Sequence, residues 1–198
     1  LAAALEASPD HVDALGAFCD LCLAEEDWEG AEQALIRLAR LSQGVDRQIE
    51  IYLRLGDLYD DALPNPERAE LAYGEILKRK PGHPLARERL VALFRREGDF
   101  GRAIEEQNIL VASAEQPEDK ALRTVQLAGI IEAMGDLKKA EATLVAARKA
   151  FPKSSVALEA LVALYQRTGQ QQAGTVLLER AVADARRALS TGRFEGYL

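Results

Sequence analysis

Apolar residues recur at spacings of three and four along most of this chain, the signature of helices with one buried face. The pattern is cut at intervals by one short block: a turn, a large apolar residue, two or three polar residues, then a small residue opening the next apolar face. It reads Glu-Asp-Trp-Glu-Gly-Ala at 26–31, Pro-Asn-Pro-Glu-Arg-Ala at 64–69, Gly-Asp-Phe-Gly-Arg-Ala at 98–103 and Gly-Asp-Leu-Lys-Lys-Ala at 135–140. A weaker copy, Gly-Gln-Gln-Gln-Ala-Gly, closes the series at 169–174. The small closing residues Ala31, Ala69, Ala103, Ala140 and Gly174 are 38, 34, 37 and 34 residues apart. A period in this range predicts an array of stacked units rather than one compact core.

Each unit reads as two amphipathic helices joined by a tight turn. In 84–113 the first helix places Leu90, Leu93 and Phe94 on one face, Gly98-Asp99 stops it, and the second helix is predicted to turn Ala103, Ile104, Ile109 and Leu110 inward. Glycine suits that stop because a helix end favours the left-handed conformation. In 121–150 the same plan gives Leu127, Ile130 and Ile131, the Gly135-Asp136 stop, then Ala140, Leu144 and Ala147. Pro81 and Pro152 follow two of the second helices, where proline cannot continue the helix.

The pattern resembles the tetratricopeptide repeat family, whose unit is a helix-turn-helix of about 34 residues. The family's pattern has large apolar residues at positions 4, 7, 11 and 24, small ones at 8, 20 and 27, and proline at 32. Counted from residue 12, the first unit offers Leu15, Phe18, Cys19, Cys22, Ala31, Leu35 and Leu38 at those places, with Gln43 in place of the proline. The second, from 49, offers Leu55-Gly56, Tyr59, Ala69, Tyr73, Ile76 and Pro81, with one residue inserted in its turn near 63–66. The third, from 84, keeps Leu90, Phe94 and Ala103 but has Arg87 at position 4 and Glu115 for the proline. The fourth, from 121, keeps Leu127-Ala128, Ala140, Leu144, Ala147 and Pro152. The fifth, from 155, keeps Leu158, Leu161, Tyr165, Leu178 and Ala181, with Gly174 for alanine.

The resemblance implies an all-α fold, a right-handed α-α superhelix (a TPR solenoid) of about five repeats at 12–45, 49–83, 84–117, 121–154 and 155–188. Three-residue spacers at 46–48 and 118–120 and the extra turn residue account for the uneven steps. Residues 1–11 match the end of a preceding repeat and 190–198 the start of a following one, so the expectation is a single solenoid domain belonging to a longer array.

Ala, Leu, Arg and Glu dominate, and 48% hydrophobic content is that of an ordinary folded chain. The net charge of −7 is uneven: residues 1–61 hold 14 acidic residues against 4 arginines, whereas 62–198 hold 18 acidic against 21 basic. That acidic entry half argues against nucleic acid, which needs a basic stripe, and suits a protein partner with a basic segment. No apolar run approaches the roughly 18 residues of a membrane span. The Arg-rich, Lys-poor composition suggests a bacterial source, and leaves cytoplasm and periplasm equally open.

The chemistry-bearing residues point away from catalysis. Cys19-Asp20-Leu21-Cys22 is a C-x-x-C, but a zinc site needs two further ligands. Both cysteines fall at packing positions, so core is the expectation. His11 and His83 sit in turns without a nucleophile beside them and read as helix-start residues. Trp28 and Phe100 share one place after the intra-repeat turn and read as structural. There is no phosphate loop and no hydrolase or metalloprotease motif. No enzyme activity, metal or cofactor is expected.

In the family the first helices line the concave surface, through positions 2, 5, 9, 12 and 13. The resemblance therefore places Asp13, Asp20, Glu50, Leu53, Asp57, Asp60 and Asp61 in the groove for the first two units. It places Leu85, Glu88, Arg95 and Arg96 there for the third, Leu122, Val125 and Glu132 for the fourth, and Val156, Glu159, Gln166 and Arg167 for the fifth. The expected groove runs from acidic to mixed and partly apolar. The Lys and Asn with which chaperone-binding members clamp a C-terminal carboxylate are missing from positions 5 and 9, which hold Gly16 and Asp20, Leu53 and Asp57, or Glu88 and Ala92. The expected function is a scaffold binding a peptide or protein on this face. The alternatives are self-association through uncapped ends within a bacterial envelope or secretion complex, and a regulatory array attached to an enzyme.

Overall fold

The computed structural model describes residues 10–190, with side chains to residue 187; of the flanking partial repeats predicted at 1–11 and 190–198, all but residues 10, 11 and 190 lie outside the described residues. Ten α-helices follow one another with no strand among the described residues: α1 Val12–Ala24, α2 Trp28–Leu41, α3 Val45–Asp57, α4 Pro66–Arg79, α5 Pro84–Arg96, α6 Phe100–Ser113, α7 Pro117–Ala133, α8 Leu137–Ala150, α9 Val156–Arg167 and α10 Gln171–Ser190. The helices pair as expected, α1 on α2, α3 on α4, α7 on α8 and α9 on α10, and each second helix α2, α4 and α8 packs on the first helix that follows it. The chain divides into two compact units between Glu106 and Gln107. No helix among the described residues is long and apolar enough to cross a membrane.

The recurring block is a helix stop and a helix start in one. The first helix ends on a left-handed residue, with φ of 77° at Gly98, 95° at Gly135 and 73° at Gly169. The next N–H then reaches back five residues: Asp99 donates to the Phe94 carbonyl at 2.8 Å, Asp136 to Ile131 at 3.2 Å and Gln170 to Tyr165 at 2.8 Å. The same aspartates cap the second helices by accepting backbone N–H groups, Asp27 from Gly30 at 3.0 Å, Asp99 from Arg102 at 3.1 Å and Asp136 from Lys139 at 3.0 Å. His11 and His83 do the same for α1 and α5 through Nδ1, each accepting from the residue three on at 3.2 Å. They are the helix-start residues their turn context predicts.

Three local expectations change. The extra residue of the second unit sits upstream of 63–66, in a π-helical turn over Leu58–Ala62 in which the Leu63 N–H reaches the Leu58 carbonyl at 2.8 Å. The spacers 46–48 and 118–120 are not linkers. They form the first turns of α3 and α7, since three residues add nearly one helical turn and leave the apolar stripe almost in phase. Ile109 does not turn inward and is 41% exposed, because the stripe of α6 runs through Ala103, Gln107 and Leu110. The buried amide of Gln107 is satisfied by donating to the Arg123 carbonyl at 2.8 Å and to Gln126 Oε1 at 3.2 Å.

Cys19 and Cys22 are core residues, as are Leu15, Leu35 and Leu38 of the same repeat, and burial pushes both thiols up from their usual range. In the second unit Leu144 packs with Ala128, Leu161, Leu164 and Tyr165, so its position is covered by the next first helix. Leu178 holds the same position but is 45% exposed, since no helix follows α10 among the described residues; its neighbour Leu177 packs on the core instead. Trp28 and Phe100 are half-buried at the starts of α2 and α6, whereas the equivalent Leu137 is exposed.

Candidate functional site

In unit 1 the first helices α1, α3 and α5 carry the residues that the repeat pattern assigns to the ligand face. The structure brings most of the acidic ones into ion pairs with arginines of the following repeat. Asp20 on α1 accepts from Arg54 on α3. Asp57 at the end of α3 lies 3.0 Å from Arg89 Nε on α5, and it also accepts the Tyr73 hydroxyl at 2.9 Å. Asp60, in the π-helical turn, accepts from Arg96 of α5, a bond that raises the Arg96 guanidinium above its ordinary value. Asp13 lies 3.8 Å from Arg47. Asp61 stays exposed beside this row, as do Glu88 and Arg95 on α5, and Leu53 is half-buried on α3.

Unit 2 repeats one of these pairs. Glu132 on α7 accepts from Arg167 Nη2 on α9 at 2.8 Å, at the same repeat positions as Asp60 and Arg96. Val125, expected on the open face, instead packs half-buried against the core of Ala128, Leu144 and Leu161. Glu159 is exposed on α9.

Asp20, Asp57, Asp60 and Glu132 each bridge to an arginine of the neighbouring repeat, whereas Glu50 and Asp61 of the same expected face are exposed without an ion pair among the described residues. A carboxylate that accepts from a guanidinium a few ångströms away presents little net field to a ligand. Sequence reasoning placed the acids but missed Arg54 and Arg89 as their partners. The signal was present. The separations Asp20–Arg54, Asp60–Arg96 and Glu132–Arg167 are 34, 36 and 35 residues, all near one repeat length.

The same logic joins the second helices. Glu32 on α2 accepts from Arg68 on α4 at 2.5 Å and from the Tyr59 hydroxyl at 2.6 Å. Burial, then Glu32, pushes that hydroxyl up to about 12. Glu70 on α4 accepts from Arg102 on α6 at 2.7 Å. Arg68 stands 5.5 Å from the Tyr59 ring centre and Arg102 4.1 Å from that of Phe94, so each guanidinium also covers an aromatic of its own repeat. In unit 2 Tyr165 donates to Glu141 at 2.7 Å, the counterpart of Tyr59 and Glu32. Among the described residues no three His, Cys, Asp or Glu side chains cluster as metal ligands.

No family model matches the sequence, and no curated protein matches it as a relative. Solved structures do match the fold. A double mutant of MamA from strain RS-1 superposes with a TM-score of 0.61 at 20% identity, over 89% of this chain and 95% of that one. The nearly identical TPR-like repeats of a putative kinesin light chain from Podosopora anserina give 0.61 at 16% identity, over 92% and 97%. BtubC from P. vanneervenii gives 0.59 at 19% identity, over 98% and 87%. The chain has the all-α helical repeat fold of the tetratricopeptide-like proteins.

Proposed function

We propose that this chain is a protein-interaction scaffold without catalytic activity, which binds a peptide or protein segment across the first-helix face. The ladder of ion pairs carries this reading. Asp20–Arg54, Asp57–Arg89 and Asp60–Arg96 tie α1, α3 and α5 side by side, so the surface is formed before any ligand arrives and little ordering cost falls on binding. With those acids matched, the charged groups of this face in unit 1 that are exposed and have no ion pair among the described residues are Glu50, Asp61 and Arg95, beside the exposed Leu85. A fitting segment places a basic residue against Asp61, an acidic one against Arg95 and an apolar anchor on Leu85.

The test is affinity capture with the wild-type chain and the double variant Asp61→Arg, Arg95→Glu, whose helix content is checked by circular dichroism. Bound proteins lost from the folded variant support the face. If the variant holds every wild-type partner at unchanged affinity, the first-helix face is not the recognition surface.

A further inference from the structure

We propose that a groove in unit 2, walled by α8 and α10, is a separate docking site for an acidic linear segment of a partner protein. That segment inserts one large apolar side chain and sets carboxylates on either side of it. The groove has a volume of about 390 Å³. Its floor is Leu161 and Tyr165 of α9, the helix on which α8 and α10 both pack. Val145 of α8, 48% exposed, and the half-buried Leu177 of α10 are its apolar walls.

The groove belongs to the repeat, but its rim charge belongs to this copy. Unit 1 has the same hollow over Leu55 and Tyr59 of α3, with Ile36 and Ala72 at the places of Val145 and Leu177. In each, the tyrosine hydroxyl donates to a glutamate of the preceding second helix, Glu32 or Glu141. The rims differ. Six residues past its small closing residue, unit 1 has Glu75, which pairs with Lys78 and Arg79 at 2.6 Å. Unit 2 has Arg180 at that place, with Arg148 and Lys149 on the facing wall. None of these three cations has an ion pair among the described residues. The last turn of α8 suits Arg148 and Lys149 through its dipole, whereas Arg180 lies in mid-helix and has no such role.

The acids of the stretch do not cancel this charge. Residues 136–187 hold nine basic residues against five acidic ones, in a chain of net charge −7. Asp136 caps the far end of α8. Asp184, one turn beyond Arg180, lies 3.9 Å from Arg187. Glu159 and Glu179 each sit two residues from a lining leucine, about half a turn round the helix and so on its other side. Glu141, one turn before Val145, accepts the Tyr165 hydroxyl at 2.7 Å. Three cations thus face one carboxylate, and the complement of the groove is an apolar group flanked by negative charge. The recess selects its source. Leu161 and Tyr165 are buried below the walls, where a single side chain reaches and a flat bilayer does not. Nucleic acid calls for a basic stripe rather than cations around an apolar hollow. This site is independent of the first-helix reading.

The experiment is fluorescence anisotropy on the full chain with a labelled, end-blocked Gly/Ser peptide that carries Asp-Asp-Leu-Asp-Asp. One control peptide has Ser for the Leu, and the other has Asn for every Asp. The expected result is binding about tenfold tighter than either control, weakening as salt rises. The double variant Lys149→Glu, Arg180→Glu should lose about tenfold, and so should Val145→Gln. All three side chains are exposed, so both variants should keep the wild-type circular dichroism. Asp61→Arg should change nothing here, which separates this site from the other face. No saturable binding, equal binding of the Ser peptide or the Asn peptide, or indifference to both variants overturns the proposal. Anionic phospholipid vesicles that displace the peptide from the wild-type chain and ignore the double variant also overturn it and give the groove to a membrane. Light scattering that shows a dimer dissolved by the double variant overturns it too and gives the groove to a second copy of the chain.

Discussion

Replacing Gly56 by alanine should destabilise this protein even though alanine is the better helix former. Gly56 lies buried on α3, against the ring of Tyr73 on α4. A Cβ built there would stand 2.3 Å from Cε1, 2.6 Å from Cζ and 2.7 Å from Cδ1 of Tyr73. Ordinary carbon contacts begin near 3.5 Å, so the ring must retreat by about 1 Å. It has nowhere to go. Tyr73 is fully buried, and its hydroxyl is tethered to Asp57, which is itself held by Arg89. Overpacking of this kind costs about 1–3 kcal/mol, and losing the hydroxyl's bond to a carboxylate adds about 1.5 kcal/mol. The gain in helix propensity returns about 1 kcal/mol, which leaves a net loss of about 2 kcal/mol.

Urea unfolding followed by circular dichroism measures this, with two controls. Gly74→Ala on α4 makes the same change where an added Cβ meets nothing within 4 Å, and should stabilise by about 0.5–1 kcal/mol. Tyr73→Leu removes Cε1 and Cζ, the two closest atoms, and leaves a shorter side chain free to change rotamer, so Gly56→Ala made in that background should be neutral or stabilising, a coupling that contacting residues show and distant ones do not. A Gly56→Ala variant as stable as wild type, or one equally damaging with Leu at 73, would refute the reasoning.

Two further outcomes follow from single turns and single hydroxyls. Glu26 has φ of 58° at the turn position that Gly98, Gly135 and Gly169 occupy in later repeats, so Glu26→Gly should raise stability by about 0.5–1 kcal/mol as an increase in urea midpoint at unchanged slope, and a decrease would count against the strain. The Tyr59 hydroxyl is pushed up to about 12, by burial and then by Glu32, and Tyr73 is pushed up by burial and then by Asp57. The folded chain keeps these protons while the unfolded chain releases them from pH 10 upward, so their stabilisation is complete below pH 10 and is lost as pH rises through about 12. Absorbance at 295 nm should show their ionisation lagging and arriving with unfolding, one hydroxyl fewer in Tyr59→Phe; complete ionisation near pH 10 with the helices intact would refute it.

The helices and their stops were legible because local chemistry decides them. Gly98-Asp99 and Gly135-Asp136 end one helix and cap the next through backbone bonds that span at most five residues. Positions decided by a neighbouring repeat were less legible. Ile109 looked like core by hydrophobicity, yet helical phase hands the site to Gln107, whose amide is satisfied only because Arg123 and Gln126 of the next helix face it. Leu178 looked like core by alignment, yet the residue in its place one repeat earlier, Leu144, is covered by Leu161 and Tyr165 of the following helix.

The charge asymmetry along the chain shows most clearly what a linear reading loses. Cutting the sequence after residue 61 separates Glu32 from Arg68, Asp57 from Arg89 and Asp60 from Arg96, three pairs whose acids fall before the cut and whose arginines fall after it. Returning those three arginines to their acids changes the entry half from −10 to −7 and the remainder from +3 to zero. Part of the acidic bias is thus a phase offset of one repeat, in which each unit supplies the carboxylate and the next supplies the guanidinium. Such a row sets the order and register of the stack, since a unit of the wrong sign would leave an arginine facing an arginine. On the proposed first-helix face the ladder leaves Glu50, Asp61 and Arg95 exposed without an ion pair among the described residues. On the proposed scaffold reading, recognition turns on such residues outside the repeat code, and substitutions there should change binding without changing the fold.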